Sequence, residues 1–546
     1  MAVSTAFKTA IALTVSTLVG RLAPTFLIQT SIWKTAIVIF SVLILMNLTW
    51  TVILWPKFFS PLRKLPGPKD GNYFMGHFKE ILKRETGAPA REWINDIDND
   101  GILKYNHALN AERVLLTNPE ALREVLVTKS YDFIKPPEIQ KSIGRILGIG
   151  VLFAEGDEHK RQRRHLMPAF AFRHIKDLYS IFWAKAGEVT DAMTHELKQS
   201  PIYGENTSGT LEIGQWASRA TLDIIGSAGM GHDFRSVQDP NNELTQTYKS
   251  IFNPGKIARY LQLLQIFIPF WIVRSLPVKR NDDLRNASTL IRNVCLRLIH
   301  EKRSRLKHGS QSDHDILSVA IESGGFSDED LVNQLMTFLA AGHETTASTM
   351  TWAALLLCQN PGVQNRLRDE IRAHLPSVTD SSRPVTSADI DSLPYLNAVC
   401  NEVLRFYPPV PSTLRVAAKD STIVGWPIPK GTYVILAPWA VNFRPKHWGP
   451  DAAVFNPDRW IDPTTGHTNN TGGADSNFSF LTFLHGPRSC IGQAFAKAEF
   501  ACLLAGWVGR FEMELENPDQ EIEIKGGITA RPKGGLNVRM KVLDGW

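Results

Sequence analysis

A lone cysteine stands two residues after an arginine and between glycines in Phe483-Leu484-His485-Gly486-Pro487-Arg488-Ser489-Cys490-Ile491-Gly492, just ahead of an apolar run. Those residue types, in that order, can present a thiolate to the iron of a haem. A thiol at the start of a helix faces backbone N–H groups and the positive end of the macrodipole. Both are expected to lower its pKa and favour the anionic ligand. Gly486 and Gly492 lack a Cβ, so the backbone can turn tightly and lie against a flat ring. Arg488 is placed to pair with a propionate, a charge-assisted contact that would orient that ring. For Cys490 taken alone, a structural cysteine in a glycine-rich turn is the competing reading.

The segment resembles the haem-binding signature of the cytochrome P-450 superfamily, Phe-x-x-Gly-x-Arg-x-Cys-x-Gly, with every fixed position matched from Phe483 to Gly492. The resemblance implies a mainly α fold with small β-sheets, a haem b cofactor with Cys490 as axial ligand, and monooxygenase chemistry. Further motifs match in the family's order along the chain. Glu402 and Arg405 resemble its Glu-x-x-Arg element, and a spacing of three puts both on one helix face. Phe455-Asn456-Pro457-Asp458-Arg459-Trp460 resembles the segment whose arginine joins that pair. By this resemblance Glu402, Arg405 and Arg459 form a partly buried ion network behind the haem, structural in role and costly to break.

Ala341-Gly342-His343-Glu344-Thr345-Thr346 lies in an apolar helical pattern from 328 to 359 and is similar to the family's distal oxygen-binding element. Gly342 is expected to clear space for dioxygen. Thr345 can bond back to a carbonyl one turn earlier. Glu344 and Thr345 are assigned to proton delivery, since an acid beside an alcohol can relay protons through water. In isolation the same residues would read as a helix cap or a solvated face. His343 is read as packing or solvent-facing rather than as a ligand or base. Further upstream, 156–170 looks like the family's helix at the haem edge, where many members carry Trp-x-x-x-Arg. Here His159 replaces the Trp and Arg163 keeps the arginine, and either His159 or Trp can donate to a propionate. Arg415 matches another position that reaches a propionate in relatives. The expected substrate pocket draws on 134–153, 338–342, 410–414 and 527–529.

At 546 residues the chain exceeds most single domains, yet no linker or repeat divides it after the N-terminal segment. One catalytic domain is therefore expected over 65–546, preceded by an anchor over 1–64. Apolar periodicity predicts helices near 175–197, 210–229, 281–307, 328–359 and after Cys490. Short β-like runs fall at 113–117, 433–436 and 536–540, and polar loops at 377–387 and 463–477.

Residues 35–55 carry no charge and are long enough to cross a bilayer core as a helix, with Trp50 and Trp55 suited to an interface. A shorter apolar run at 10–20 reads as a second span, an interfacial helix or a signal core. Leu65-Pro66-Gly67-Pro68-Lys69 resembles the proline-rich hinge of microsomal members, which implies an endoplasmic reticulum membrane location with the catalytic domain facing the cytosol. The run 260–271, rich in Leu, Ile, Phe and Trp, reads equally as a second membrane contact or a buried helix. The five cysteines are scattered, without disulfide or zinc spacing.

After the cysteine loop the chain leaves no room for a flavin or iron–sulfur domain, so electrons are expected from a separate protein. The resemblance implies the NADPH-cytochrome P-450 reductase, with cytochrome b5 as a further donor. The formal charge of +6 suits an acidic partner, and no nucleic-acid partner is expected. The substrate is expected to be an apolar small molecule in fungal terpenoid or polyketide secondary metabolism. A haem-thiolate isomerase or dehydratase that works without dioxygen, and a non-catalytic haem- or steroid-binding membrane protein, are the competing functions.

Overall fold

The longest helix of the catalytic region owes its start to a capping box. Ser327 accepts from the Asp330 N–H, Asp330 reaches back to the Ser327 N–H, and Asp328, Glu329 and Asp330 put negative charge on the first turn. From there the helix runs 32 residues, Asp328–Gln359, and buries residues on all sides, the pattern of a helix in the centre of a large domain. The structure, a computed structural model, describes residues 5–199, 208–252, 255–265, 268–307, 315–380, 382–525 and 527–546.

In chain order the helices that matter here are α1 (Thr5–Leu22), α2 (Ile32–Leu48), α3 (Gly156–Leu166), α4 (Tyr179–Gln199), α5 (Ile213–Ile224), α6 (Glu243–Phe252), α7 (Lys279–Lys307), α8 (Asp328–Gln359), α9 (Pro361–His374), α10 (Pro394–Phe406) and α11 (Gln493–Arg510). α8 is the axis. α5, α7, α10 and α11 all pack on it, and α10 and α11 also pack on each other. They share one apolar core that includes Trp352, Phe182, Phe500 and Trp507. The fold is mainly helical with small sheets, as expected.

A five-stranded sheet orders Ile102–Asn106, Glu112–Leu116, Tyr433–Leu436, Thr413–Ala417 and Phe133–Ile134. Its only parallel pair is Glu112–Leu116 with Tyr433–Leu436. Phe133 pairs with Ala417 at one edge, which brings Arg415 beside the loop leading into α3. A second sheet closes the C-terminal region, with Asn537–Val542 between Ser208–Glu212 and Phe511–Leu515.

Two expectations change. The predicted helix at 210–229 begins as the strand Ser208–Glu212, and only from Ile213 is it helical, where the Glu212 carboxylate caps the Gly214 and Gln215 N–H groups. The stretch 65–69, expected as a stiff proline-rich hinge, is in addition pinned to the sheet. Pro66 O accepts the Lys104 N–H at 2.8 Å, and a Cβ on Gly67 would lie 1.8 Å from Lys104 O. Leu62 and Leu65 are buried in the core of the five-stranded sheet. The prolines extend this segment, and the sheet edge then holds it.

α2 continues through wide turns to Phe59, making one apolar helical stretch of 28 residues, Ile32–Phe59, with little of it buried. It contains the expected 35–55 span. In the 260–271 run, Tyr260 and Trp271 are both more than two-thirds exposed, while Leu261 and Leu263 line a cavity. Ile266 and Phe267 lie outside the described residues.

Candidate functional site

The cysteine loop is held by its own backbone and by a glycine that cannot be replaced cheaply. Cys490 N–H donates to Phe483 O at 2.9 Å, closing the loop. Gly486 sits at φ +77°, and a Cβ there would lie 2.2 Å from Leu126 O. Gly492 caps α11 at φ −88°, and a Cβ there would meet only Phe170, at 3.9 Å. No protein contact demands glycine at 492, which leaves that face open to a flat ligand. Phe170 also packs edge-on to Phe338 of α8 at 5.5 Å, so the loop and α8 flank the same ring.

The Cys490 side chain is accessible, yet enough protein surrounds it that burial pushes the thiol up. The Gly492 N–H and the Arg163 guanidinium pull it down by less. The expected depressed pKa is therefore not what the fold alone supplies, because desolvation outweighs the helix terminus. A coordinated metal removes the proton from a thiol outright.

Around this loop the fold gathers cations that face few anions. Arg163 donates to Ser489 O at 2.7 Å and to Ser489 Oγ at 3.3 Å, bracing the residue before the cysteine. Arg488 donates to Ser130 O and Phe133 O and pairs with Glu155. Arg415 is buried, and its pKa falls to about 10 through burial and the neighbouring Arg488. Lys135 is also held well below its usual range by burial, with Arg415 and Arg488 adding to the effect. His159 is buried, its Nδ1 lies 3.1 Å from the Tyr131 hydroxyl, and burial with Arg488, Arg163 and Lys135 lowers it to about 4. It is neutral at physiological pH. Four cations around one carboxylate, Glu155, fit a ligand that carries two carboxylates of its own, as haem does.

Lys135, Tyr131 and Glu155 were not found from the sequence. Each acts through a contact with a segment far along the chain, and none stands in a motif.

Behind the loop, Glu402 is satisfied at both oxygens. Arg405 donates to it in a fork at 2.8 and 2.7 Å. Asn456 N–H, Trp460 Nε1 and Arg459 Nε supply three more bonds at 2.9, 2.9 and 3.2 Å. Arg405 also donates to Asn442 O, Ala452 O and Val454 O. Glu402 and Arg405 have no exposed surface, while Arg459 reaches outward to Asp451, so the network is buried at its centre and open at one edge. Asn442 carries it to the loop: its Oδ1 accepts the Leu481 N–H and its Nδ2 donates to Thr482 Oγ1, two residues and one residue before Phe483.

On α8, Thr345 Oγ1 donates to Ala341 O at 2.8 Å, as expected. Glu344 turns elsewhere. It accepts from Thr529 Oγ1 at 2.7 Å and pairs with Arg531. Burial raises its pKa, with Arg531 and Thr529 opposing. Adjacent residues on a helix diverge by about 100°, so the acid and the alcohol point to different neighbours. Gly342 does not clear space for a ligand in this arrangement: a Cβ there would meet Ile225 at 3.1 Å, so the glycine lets α8 approach the helical turn after α5. His343 is fully buried, donates from Nδ1 to Leu339 O at 2.6 Å and packs edge-on to Tyr248. Burial lowers it to about 4. It is packing, as read.

A cavity of about 1730 Å³ lies on the Glu344 side of α8. Its lining includes Ser142, Ile143, 145–147 and 527–529 from the expected pocket, together with Tyr248 and Phe252, while 338–342 and 410–414 lie outside it.

A family model described as Cytochrome P450 matches residues 66–538. The chain is 48% identical over 505 residues to cytochrome P450 monooxygenase sphH of Aspergillus fumigatus, covering 92% of each. It is 42% identical over 558 aligned residues to cytochrome P450 monooxygenase FUM15 of Gibberella moniliformis, covering 94% of each. It is also 42% identical to cytochrome P450 monooxygenase ALT8 of Alternaria alternata, covering 91% of this chain and 92% of that one. With the cysteine loop, its cationic surround and these matches together, the chain belongs to the cytochrome P450 family and is a haem-dependent monooxygenase.

Proposed function

We propose that this chain is a membrane-anchored monooxygenase of fungal secondary metabolism that oxidises an apolar terpenoid or polyketide. The family calls for a redox partner and a small-molecule substrate. The finer reading takes the NADPH-cytochrome P-450 reductase as that partner, with cytochrome b5 as a second donor. It places residues 1–64 as an anchor in the endoplasmic reticulum membrane and residues 65–546 as a catalytic domain facing the cytosol. The single observation that carries the catalytic reading is the accessible Cys490, set in a loop that Gly486 and the Asn442 bonds fix, beside four basic side chains that share one carboxylate, Glu155.

Bound haem supplies dioxygen activation and transfer of one oxygen atom to substrate. The residues of this chain do the rest. Cys490 would ligate the haem iron. Arg163, Arg415, Arg488 and His159 would hold its propionates, with Lys135 beside them, and Phe483 and Gly492 would lie against the ring. Glu402, Arg405 and Arg459 keep the loop rigid through Asn442. Thr345 donates its hydroxyl proton to Ala341 O, which orients the oxygen's lone pairs to accept a hydrogen bond from a water in the relay. Glu344, raised by burial, takes protons from the side of Thr529 and Arg531 and hands them on through water.

The test is oxygen and NADPH consumption by the haem-loaded chain with reductase in membranes, with and without candidate substrates. Product formation coupled to NADPH is expected. In Glu344→Gln and Thr345→Ala, NADPH use persists while peroxide replaces product. Turnover of a peroxide substrate without NADPH or dioxygen would favour an isomerase instead.

A further inference from the structure

α1 is built inside out for a helix in water. The residues buried where it packs on α2 are Lys8, Ala12 and Ser16, small or polar and four apart. Gly20 continues the row, and a Cβ there would lie 3.1 Å from Ile32 of α2. The opposing surface of α2 buries Thr35 and Ala36. The large apolar side chains face outward on both helices: Phe7, Leu18 and Leu22 on α1 are 57, 56 and 76% exposed, and Ile37, Leu45 and Met46 on α2 are 64, 64 and 63% exposed. A hairpin in water would hide these residues and show its hydroxyls. In lipid the order reverses, because small residues let two backbones approach and apolar side chains lose nothing by facing out.

The polar groups along the seam are already bonded. Ser16 Oγ donates to Leu13 O at 3.0 Å, and Thr35 Oγ1 donates to Ser31 O at 3.0 Å while accepting the Ile28 N–H at 2.9 Å. Within the 23–31 turn, the N–H groups of Ala23, Phe26, Leu27, Thr30 and Ser31 donate to carbonyls three or four residues earlier. Backbone that enters a bilayer must be satisfied in this way.

The depth is consistent. Asn110, on the catalytic domain, donates to Val52 O, which sets the near edge of the span at about residue 52. Ile32 then lies about 30 Å deeper, at the far edge. Gly20 stands beside Ile32, and α1 runs back from there towards the near side. Its uncharged run 9–20 is about 18 Å long, too short to cross alone. Lys8 lies on the seam about 18 Å from the far edge by the same rise, in the half of the span nearer the catalytic domain. The charges agree as well. With a single span, Lys57, Arg63, Lys64 and Lys69 face Lys8, Arg21 and Lys34 across the membrane, four against three. With a hairpin, Lys8 joins the first group, five against two.

We propose that α1 is a second membrane-embedded helix that packs on α2 as a hairpin. Its N-terminal end returns to the face carrying the catalytic domain, and the 23–31 turn lies at the opposite face. This rests on the anchor reading of α2 given above.

The test uses the full-length, haem-loaded chain in sealed microsomes. An N-terminal extension carries an epitope and a glycosylation acceptor, and Gln29→Cys is probed with a membrane-impermeant maleimide against the wild-type background. The expected result is an epitope digested by added protease together with the catalytic domain, no glycan, and labelling of Gln29→Cys only after permeabilisation. An accessible start and a protected turn together force α1 through the membrane. A glycosylated, protected epitope with a protected turn would overturn the hairpin while leaving α2 as a single span. Labelling of Gln29→Cys in intact vesicles would show that α2 does not span, which overturns the anchor reading itself.

Discussion

Replacing Arg405 with lysine tests whether the buried ion network is what fixes the cysteine loop. The guanidinium makes five bonds, two to Glu402 and one each to Asn442 O, Ala452 O and Val454 O. An ammonium has three donors, so at least two acceptors lose their partner in a place without solvent. At roughly 1–3 kcal/mol for each unsatisfied group the loss is about 4 kcal/mol. A catalytic domain of this size has an unfolding entropy of about 1 kcal/mol per degree, so the midpoint should fall by about 4 °C. The assay is thermal loss of the haem absorption band in the haem-loaded protein. Arg366→Lys is the control, since its pair with Asp458 is more than half exposed at both ends and is worth under about 1 kcal/mol. A midpoint for Arg405→Lys within 1 °C of wild type, or equal to that of Arg366→Lys, would refute the reasoning.

Gly486→Ala should cost about 3 kcal/mol or more, from left-handed backbone strain plus the clash with Leu126 O; haem retention after gel filtration reads the loss. His343 is held neutral in the fold at about 4 against an ordinary value of 6.5. The unfolded chain therefore binds a proton first as the pH falls. His343 subtracts nothing above pH 6.5, and stability is lost between 6.5 and 4. The share assigned to His343 between pH 7 and pH 5 is about 2 kcal/mol, and the difference in urea midpoints between those pH values should shrink in His343→Phe. An unchanged difference would contradict the burial argument.

The parts of this site that were legible in the sequence are those whose chemistry lies in short fixed spacings. Cys490 with Arg488 and the glycines, Glu402 with Arg405, and Thr345 with Ala341 each sit within ten residues of one another, and the structure keeps those relations. Where the reading missed, a distant segment decided the outcome. Glu155 pairs with Arg488 across 333 residues, and Asn442 links Arg405 to Thr482 without belonging to any motif. Glu344 was placed beside Thr345 by sequence, but Thr529 and Arg531 claim its carboxylate. The Cys490 thiol was expected to be lowered by the helix start, and burial proved the larger effect. Gly342 was expected to clear space for dioxygen, and the fold sets Ile225 against it; the 65–69 hinge carried no sign that Lys104 O would lie against Gly67. At 210–212 the start of the predicted helix is the end of a strand, because pairing with Asn537–Val542 decides the conformation of residues that carry little apolar pattern of their own.

The most direct test of the account is the carbon monoxide difference spectrum of the dithionite-reduced protein in membranes, wild type against Cys490→Ala at matched expression. A strongly red-shifted Soret band in wild type that is lost in Cys490→Ala is the predicted result. The same band in both proteins, or none in a folded and haem-supplied wild type, would contradict Cys490 as the axial ligand.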